Sequence, residues 1–122
     1  MIGCDIAKID RFEKFVDDEK FLQKYFSLVE QKYINSKTSK EQKMQTLAGL
    51  YACKEAVLKA FQIGIGGGTK LCEVEIEHNE LGAPVLVINQ KMQLLLEKFG
   101  KKNVSVSISH DGEYAFAVCM IE

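Results

Sequence analysis

The feature that most constrains this 122-residue chain is a stretch from Met44 to Phe61 that reads as a helix apolar almost all the way round. Its only charged residues are Lys54, Glu55 and Lys59. A helix without a polar face is usually buried, and charges in buried surroundings need partners. The rest of the chain must therefore pack around this helix, and each of its three charges requires a partner or a task.

The segments before this helix predict one strand and further helices. Ile2–Ile9 is predicted to be a short strand that leads into a helix, and apolar residues recur at helical spacing from Arg11 to Phe26. Ser27–Glu30 has the form of a capping box and predicts the start of a short helix. Ser39–Gln42 repeats that signal and predicts the start of the long helix, which would then run to Phe61.

The segments after the helix alternate between turn signals and strand patterns. Gly64 is predicted to end the long helix as its C-cap glycine. Two strands are predicted next, at Cys72–His78 and 83–88. A helix then begins at its N-cap Asn89 and ends at Gly100. The last two strands, at Val104–His110 and 113–122, are predicted to form a hairpin that turns at Asp111-Gly112. We therefore expect a single α+β domain over residues 1–122, with a mostly antiparallel sheet packed against the long central helix.

Composition narrows the classes of function. The net charge is −1 and Arg11 is the only arginine, which disfavours nucleic acid as a partner. Four widely spaced cysteines and two histidines disfavour a zinc site and suit a reduced compartment. No apolar run approaches a membrane span, and Asp5 interrupts the N-terminus too early for a signal peptide. We expect a cytoplasmic protein that binds neither membrane nor nucleic acid.

Two carboxylates are out of place in apolar surroundings. Glu55 and Lys59 lie one turn apart on the same face of the helix, where a simple ion pair is the plainer interpretation. Asp5 lies within an apolar strand, where it could instead cap the following helix. If Asp5 and Glu55 converge, they would repel each other unless a proton or cation lay between them. Two carboxylates suit Mg²⁺, which completes its shell with phosphate oxygens, and Lys59 could contact the same phosphates.

Two further motifs are weaker signals for a phosphate ligand. The glycine-rich stretch 64–68 lacks the ending of a P-loop and follows a helix, although its open backbone N–H groups could bind phosphate. His110 follows Ile108 on the inward face of its strand. It could be a structural histidine, or it could bind phosphate or transfer a proton.

Three blocks taken together resemble one enzyme family. These blocks are GCDIAKIDR from Gly3, YACKEAVLKAF from Tyr51 and SISHDGEYAFAV from Ser107. They resemble, in order and spacing, the signature of the holo-[acyl-carrier-protein] synthases, the short type of phosphopantetheinyl transferase. The resemblance extends over nearly the whole chain. It implies transfer of the phosphopantetheine arm of coenzyme A to a serine of apo-acyl carrier protein, with Mg²⁺ as cofactor and release of adenosine 3′,5′-bisphosphate, in support of fatty acid biosynthesis.

The resemblance also implies roles for individual residues. Asp5 and Glu55 would bind Mg²⁺, and Glu55 and Lys59 would be catalytic, with Lys59 touching the pyrophosphate. His110, with neighbouring Ser109, would lie by the nucleotide phosphates. Gly66, in the glycine-rich stretch, is a further candidate substrate contact because of its open backbone N–H group. Arg11 would lie on the surface that meets the carrier protein, together with lysines of the early helices. Members of this type are similar homotrimers with active sites between subunits.

The chain departs from the family pattern at one position, and one charged residue of the long helix, Lys54, has no assigned role. Many members carry arginine where this chain has Leu50, so one coenzyme A contact is unassigned. Lys54 projects about 100° from Glu55 around the helix, and no role follows for it from the sequence. Two rival interpretations stay open: a non-catalytic module that binds coenzyme A or a nucleotide, and a structural domain in which Glu55 and Lys59 form only an ion pair.

Overall fold

The computed structural model describes residues 1–64 and 67–122, which form five strands and four α-helices. In chain order they are β1 Ile2–Lys8, α1 Glu19–Tyr25, α2 Leu28–Asn35, α3 Lys40–Ala60, β2 Ile76–His78, β3 Pro84–Leu86, α4 Gln90–Lys98, β4 Val104–Asp111 and β5 Tyr114–Ile121. Short 3-10 turns lie at Ile9–Phe12 and Leu71–Glu73. None of the helices in the described part of the chain is long and apolar enough to cross a membrane.

The main sheet has the strand order β1-β5-β4 and is antiparallel throughout. The long helix α3 packs across one face of this sheet, where β5 presents its smallest buried side chains. Ala115, Ala117 and Cys119 are fully buried there, which lets the helix lie close to the strand. The predicted α+β class and the packing of a mostly antiparallel sheet against the long helix are confirmed.

Strand β1 approaches α3 most closely at Gly3. A Cβ atom added at Gly3 would clash with the carbonyl oxygen of Ala56 and the backbone nitrogen of Ala60. Only glycine leaves room for this contact between the two backbones. Gly3 therefore sets the distance between the strand that carries Asp5 and the helix that carries Glu55.

The second sheet is a short hairpin of β2 and β3. The turn lies between the two strands predicted from the sequence. It is stabilised by the Asn79 side chain, which accepts hydrogen bonds from the backbone of Leu81 and Ala83, at 3.0 Å each. The strand predicted over Cys72–His78 is shorter, beginning at Ile76. The Glu73 side chain accepts a hydrogen bond from the Lys70 backbone at 2.7 Å, and this local contact favours a 3-10 turn over an extended chain.

The helix predicted between Arg11 and Phe26 is wrong as a single element. A 3-10 turn ends at Phe12, and α1 begins only after Asp18. The Asp18 carboxylate accepts a hydrogen bond from the Phe21 backbone at 3.1 Å, so it caps a new helix in the middle of the periodic pattern. The capping box at Ser27 and Glu30 is confirmed, as is the N-cap of α3 at Ser39.

Two turn residues lie one or two positions from where they were predicted. The left-handed residue that ends α3 is Gln62, with φ of 61°, and not Gly64. The Ile63 backbone donates to Leu58 and that of Gln62 to Lys59, both at 2.9 Å, which is a Schellman motif. The hairpin loop between β4 and β5 is Gly112-Glu113, because Asp111 still pairs with Tyr114. Gly112 takes the positive φ of 56° that this two-residue loop requires.

Candidate active site

Asp5 and Lys59 meet at the edge of α3. Asp5 is in the middle of β1, paired with Ala117, and its side chain shares the face of Gly3 and Ala7 that looks toward the helix. The Lys59 Nζ donates a hydrogen bond to the Asp5 Oδ1 at 2.9 Å. The Lys59 side chain is 54% exposed and that of Asp5 17% exposed. Asp5 is therefore not a helix cap but a recessed carboxylate that faces an exposed ammonium group.

Glu55 belongs to the same cluster. It is half-buried, and burial raises the pKa of its carboxyl group; the negative charge of Asp5 raises it further. The charges of Lys59 and Arg11 and the hydroxyl of Tyr51 oppose this effect without cancelling it. Asp5 is thus near enough for its charge to act on Glu55, and a shared site for the two carboxylates stays a prediction.

An aromatic residue and an arginine border the carboxylates. The Arg11 guanidinium lies 5.2 Å from the centre of the Tyr51 ring and 4.9 Å from that of Phe12. Burial raises the pKa of Tyr51, and the charge of Glu55 adds to this effect. Sequence reasoning placed Tyr51 on the stripe of Glu55 but gave it no role. Its position one turn before Glu55 was the available signal.

The donor set suits a hard cation that uses few protein ligands. In residues 1–64 and 67–122, no group of three or more His, Cys, Asp and Glu side chains could hold a metal ion. The candidate ligands are the carboxylates of Asp5 and Glu55, whose negative charges repel each other. A divalent cation between them would remove this repulsion. Mg²⁺ commonly binds one or two carboxylates and takes its other ligands from water and phosphate. Asp5 and Glu55 fit that pattern.

His110 lies apart from this cluster within one chain. It is exposed at the end of β4, and its Nε2 is 2.9 Å from the carbonyl oxygen of Gln45. It also lies against Gly49, which precedes Glu55 by six residues, or about 9 Å along the helix axis, and is on a different face of the helix. Ser109 is exposed and, by strand alternation, faces away from the His110 side chain. One chain alone therefore does not bring His110 and the carboxylates together.

His110 instead borders a groove of about 250 Å³ beside the middle of α3. The rings of Tyr33 and His78 stack in its wall, with centroids 3.8 Å apart and planes 9° from parallel. Gly49 forms part of the floor, where an added Cβ atom would lie 2.9 Å from the His110 Nε2. The lining residues are Tyr33, Thr46, Gly49, Leu50, His78, Gly82, Pro84, Ile108 and His110. Leu50, where an arginine was expected, is 1% exposed beneath this groove. Gly66 lies outside the described residues.

Lys54, which the sequence left without a role, is part of a buried ion pair. Its Nζ lies 2.5 Å from the Glu30 Oε1, both side chains are 0% exposed, and the Phe26 ring lies 4.8 Å from the ammonium. The Glu30 carboxylate also accepts hydrogen bonds from the backbones of Ser27 and Ile76, at 2.8 Å each. One carboxylate thus connects α2, α3 and β2. The capping box placed Glu30 at a helix start but gave no sign that it would be buried.

Comparison with known proteins gives one consistent result. A sequence model described as the 4′-phosphopantetheinyl transferase superfamily matches residues 1–119. A holo-[acyl-carrier-protein] synthase of Campylobacter hominis is 40% identical, with 100% of this chain and 97% of the relative covered. The one from Clostridium acetobutylicum is 38% identical over 99% of this chain and 95% of its own length. The crystal structure of the Helicobacter pylori enzyme in complex with coenzyme A has a TM-score of 0.83 and 33% identity, covering 100% of both chains.

The α+β fold, the carboxylate pair beside a lysine and these matches define a phosphopantetheinyl transferase. The chain belongs to the 4′-phosphopantetheinyl transferase superfamily. Within that superfamily it is an enzyme of the holo-[acyl-carrier-protein] synthase type.

Proposed function

We propose that the enzyme transfers the phosphopantetheine arm of coenzyme A to a serine of apo-acyl carrier protein, with Mg²⁺ as cofactor. The observation that carries this proposal is the cluster of Asp5, Glu55 and Lys59 in a member of this family. Coenzyme A as the donor is supported by the related Helicobacter pylori enzyme, whose structure was solved with it. The non-catalytic and structural interpretations leave the repulsive carboxylate pair without a purpose.

In the proposed reaction the serine oxygen forms a bond to the phosphorus that carries phosphopantetheine. The bond from that phosphorus to the bridging pyrophosphate oxygen breaks, and adenosine 3′,5′-bisphosphate leaves with the bonding electrons. Asp5 and Glu55 would hold Mg²⁺, which supplies positive charge against the phosphate oxygens. The exposed Lys59 ammonium, held by Asp5, donates a hydrogen bond to the leaving phosphate. Glu55, or a water molecule beside it, would accept the proton of the serine.

We further propose a homotrimer with active sites between subunits. Support comes from the separation of His110 from Glu55 within one chain, since His110 lies against Gly49, about 9 Å before Glu55 along α3 and on another face of the helix. The sheet face opposite α3 also exposes apolar side chains on neighbouring strands. Ile6 on β1 is 61% exposed, and Phe116, its partner on β5, is 42% exposed. An apolar patch of this kind suits contact with another copy of the chain.

The carrier protein is proposed to dock beside Arg11. Arg11 is exposed at the edge of the carboxylate cluster, and Lys14, Lys20 and Lys24 are exposed on the segments that follow. An acidic partner would find positive charge there, although the chain is nearly neutral.

We place the reaction in the cytoplasm and in fatty acid biosynthesis. The described cysteines are free thiols, which suits a reduced compartment.

The proposal is tested by incubating the protein with coenzyme A, Mg²⁺ and an apo-acyl carrier protein. Mass spectrometry should show the carrier protein gain one phosphopantetheine arm, and adenosine 3′,5′-bisphosphate should appear in equal amount. Chelation of Mg²⁺ should abolish both signals. A carrier protein that stays unmodified, while the enzyme still binds coenzyme A, would favour the non-catalytic module instead.

A further inference from the structure

The half-buried side chain of Tyr51 adjoins two groups that the proposed reaction uses, Arg11 and Glu55. Tyr51 precedes Glu55 by four residues on α3, so the two side chains are neighbours on one face of the helix. The 3-10 turn that carries Arg11 and Phe12 packs against the same part of α3, with the Phe12 and Tyr51 rings in contact. One aromatic side chain therefore connects the segment proposed to meet the carrier protein with a carboxylate proposed to bind Mg²⁺.

Two aromatic rings hold the guanidinium of Arg11. It lies 5.2 Å from the centre of the Tyr51 ring and 4.9 Å from that of Phe12, and the two ring centres are 5.2 Å apart. None of the ion pairs within residues 1–64 and 67–122 includes Arg11. Contact with a ring face stabilises a guanidinium without neutralising it. The charge of Arg11 is thus held in place and available to an acidic partner.

The hydroxyl of Tyr51 contacts Glu55. Burial and the charge of Asp5 raise the pKa of Glu55, whereas a hydrogen bond from the Tyr51 hydroxyl lowers it. A carboxylate has two oxygens, so an oxygen that accepts a hydrogen bond from Tyr51 leaves the other free for a cation. Hydrogen bonds of this kind orient the carboxylates that bind metal ions.

We propose that Tyr51 is a positioning residue with two functions: its hydroxyl orients Glu55 for Mg²⁺, and its ring holds Arg11 in place for the carrier protein. This inference rests on the proposed function. Tyr51 acts through Glu55 and Arg11 and not by contact with the reacting atoms. Because the two functions belong to different atoms of one side chain, two substitutions separate them.

Tyr51→Phe removes only the hydroxyl. When the full-length protein is titrated with Mg²⁺ and followed by the rise in Tm, this variant should need about ten-fold more Mg²⁺ than wild type for half-saturation. Its kcat at limiting Mg²⁺ should fall, whereas the KM for the carrier protein should not change, because the ring still holds Arg11. Tyr25→Phe, which removes a hydroxyl from the last residue of α1, should match wild type. Wild-type Mg²⁺ affinity in Tyr51→Phe would refute the function of the hydroxyl.

Tyr51→Leu removes the ring as well. It should show the same loss of Mg²⁺ affinity and also raise the KM for the carrier protein several-fold, with the KM for coenzyme A unchanged. Tyr51→Trp, which keeps a ring face without the hydroxyl, should restore the KM for the carrier protein and leave the Mg²⁺ defect. If the Leu and Trp variants had the wild-type KM for the carrier protein, the ring would have no part in holding Arg11.

A third measurement tests the contact with Glu55 in the absence of metal. In buffer that contains a chelator, Tyr51→Phe should lower the Tm of the wild-type protein and leave that of Glu55→Ala unchanged, because the hydroxyl then has no carboxylate to bond. Equal shifts in the two backgrounds would show that Tyr51 does not hold Glu55. A wild-type protein that failed to modify a carrier protein would overturn the proposed function, while this comparison would still decide whether Tyr51 holds Glu55.

Discussion

At the scale of single residues, the lysines of α3 show how burial separates structural from chemical roles. Lys54 and Lys59 lie five positions apart, yet the first is fully buried against Glu30 and the second is largely exposed beside Asp5. Burial lowers the pKa of Lys54, whereas the hydrogen bond to Asp5 raises that of Lys59. A buried charge must keep one partner, whereas an exposed ammonium can exchange its partner for a substrate.

The environment of Glu55 predicts opposite effects of its removal on stability and activity. Burial and Asp5 raise its carboxyl pKa above the ordinary value of 4.5, so the folded protein binds this proton more tightly than the unfolded chain. Ionised Glu55 therefore lowers stability at pH values above its folded pKa, and this cost disappears as the pH falls toward 4.5. Glu55→Gln should be more stable than wild type near neutral pH and nearly inactive.

Thermal denaturation in chelator-containing buffer, followed between about pH 4.5 and neutral, checks this expectation alongside a transfer assay. Glu41→Gln, at the exposed start of the same helix, is the matched control. Glu55 has no place in the reaction if the Gln variant keeps the wild-type rate. The Mg²⁺-dependent rise in Tm expected of wild type should also be absent from Glu55→Gln, because one of the two carboxylates is lost.

The buried ion pair predicts a large difference between two lysine substitutions. Lys54→Met leaves the Glu30 carboxylate buried without its cation and should lower the free energy of unfolding by about 3–5 kcal/mol. Lys59→Met removes an exposed ammonium group and should lower it by less than about 1 kcal/mol. Urea denaturation measures both. Similar values for the two variants would show that Glu30 does not depend on Lys54.

At the scale of elements, two features shape the surroundings of the site: the close contact of β1 with α3, and the way in which α3 ends. Gly3 lets β1 lie against the backbone of α3, which brings Asp5 within hydrogen-bond distance of Lys59. At the end of α3, Gln62 takes a left-handed conformation that favours glycine, and the chain enters the glycine-rich stretch there. The first contact builds the site, and the second strains the helix end that adjoins it.

The helix end at Gln62 predicts a stabilising substitution. Gln62→Gly should raise the free energy of unfolding by about 0.5–1 kcal/mol, because it removes the penalty of a positive φ in a residue with a side chain. Gly100 occupies the corresponding position after α4, with φ of 65°. Gly100→Ala should therefore change stability in the opposite direction, by about 1 kcal/mol. Chemical denaturation of both variants is the measurement, and a shift of the same sign in both would contradict the argument.

At the scale of the whole molecule, the separation of His110 from the carboxylates predicts complementation between copies. Glu55→Gln and His110→Ala should each be nearly inactive alone. Co-expressed copies should recover roughly a quarter of the activity, since that is the chance that a site takes each wild-type residue from the correct subunit. Sites formed within one chain would recover nothing. Phe116→Glu, on the exposed sheet face, should abolish both the recovery and the trimer in analytical ultracentrifugation.

The proposed docking surface is tested by reversing the charge of Arg11. Arg11→Glu should raise the KM for the acyl carrier protein several-fold and leave the affinity for coenzyme A unchanged, because rim charges act mainly on encounter with the partner. Lys102→Glu, an exposed lysine beyond α4, makes the same change in net charge as a control. An unchanged KM for the carrier protein would move the docking surface elsewhere.

Sequence alone determined the elements whose signals are local. The capping box at Ser27, the alternation from Val104 to His110 and the helix through Glu55 all depend on neighbours within one turn or one strand, and the structure confirms them. The sequence also identified Asp5 and Glu55 as unusual residues, without showing that Asp5 would accept a hydrogen bond from Lys59. A carboxylate in an apolar strand and another in an apolar helix have few ways to avoid an unpaired buried charge.

Tertiary structure decided what depends on contacts far apart in the chain. The burial of Glu30 and Lys54, 24 residues apart, follows from the packing of α2 against α3 and has no local signal. The same packing stacks Tyr33 on His78 and places Lys37 at the groove that holds His110. It also placed His110 against Gly49, about 9 Å before Glu55 along α3 and on another face of the helix. The spacing of residues in the sequence indicates which side chains could take part in chemistry. Only the folded chain determines which of them come into contact, because burial and charge pairing depend on how all the elements pack together.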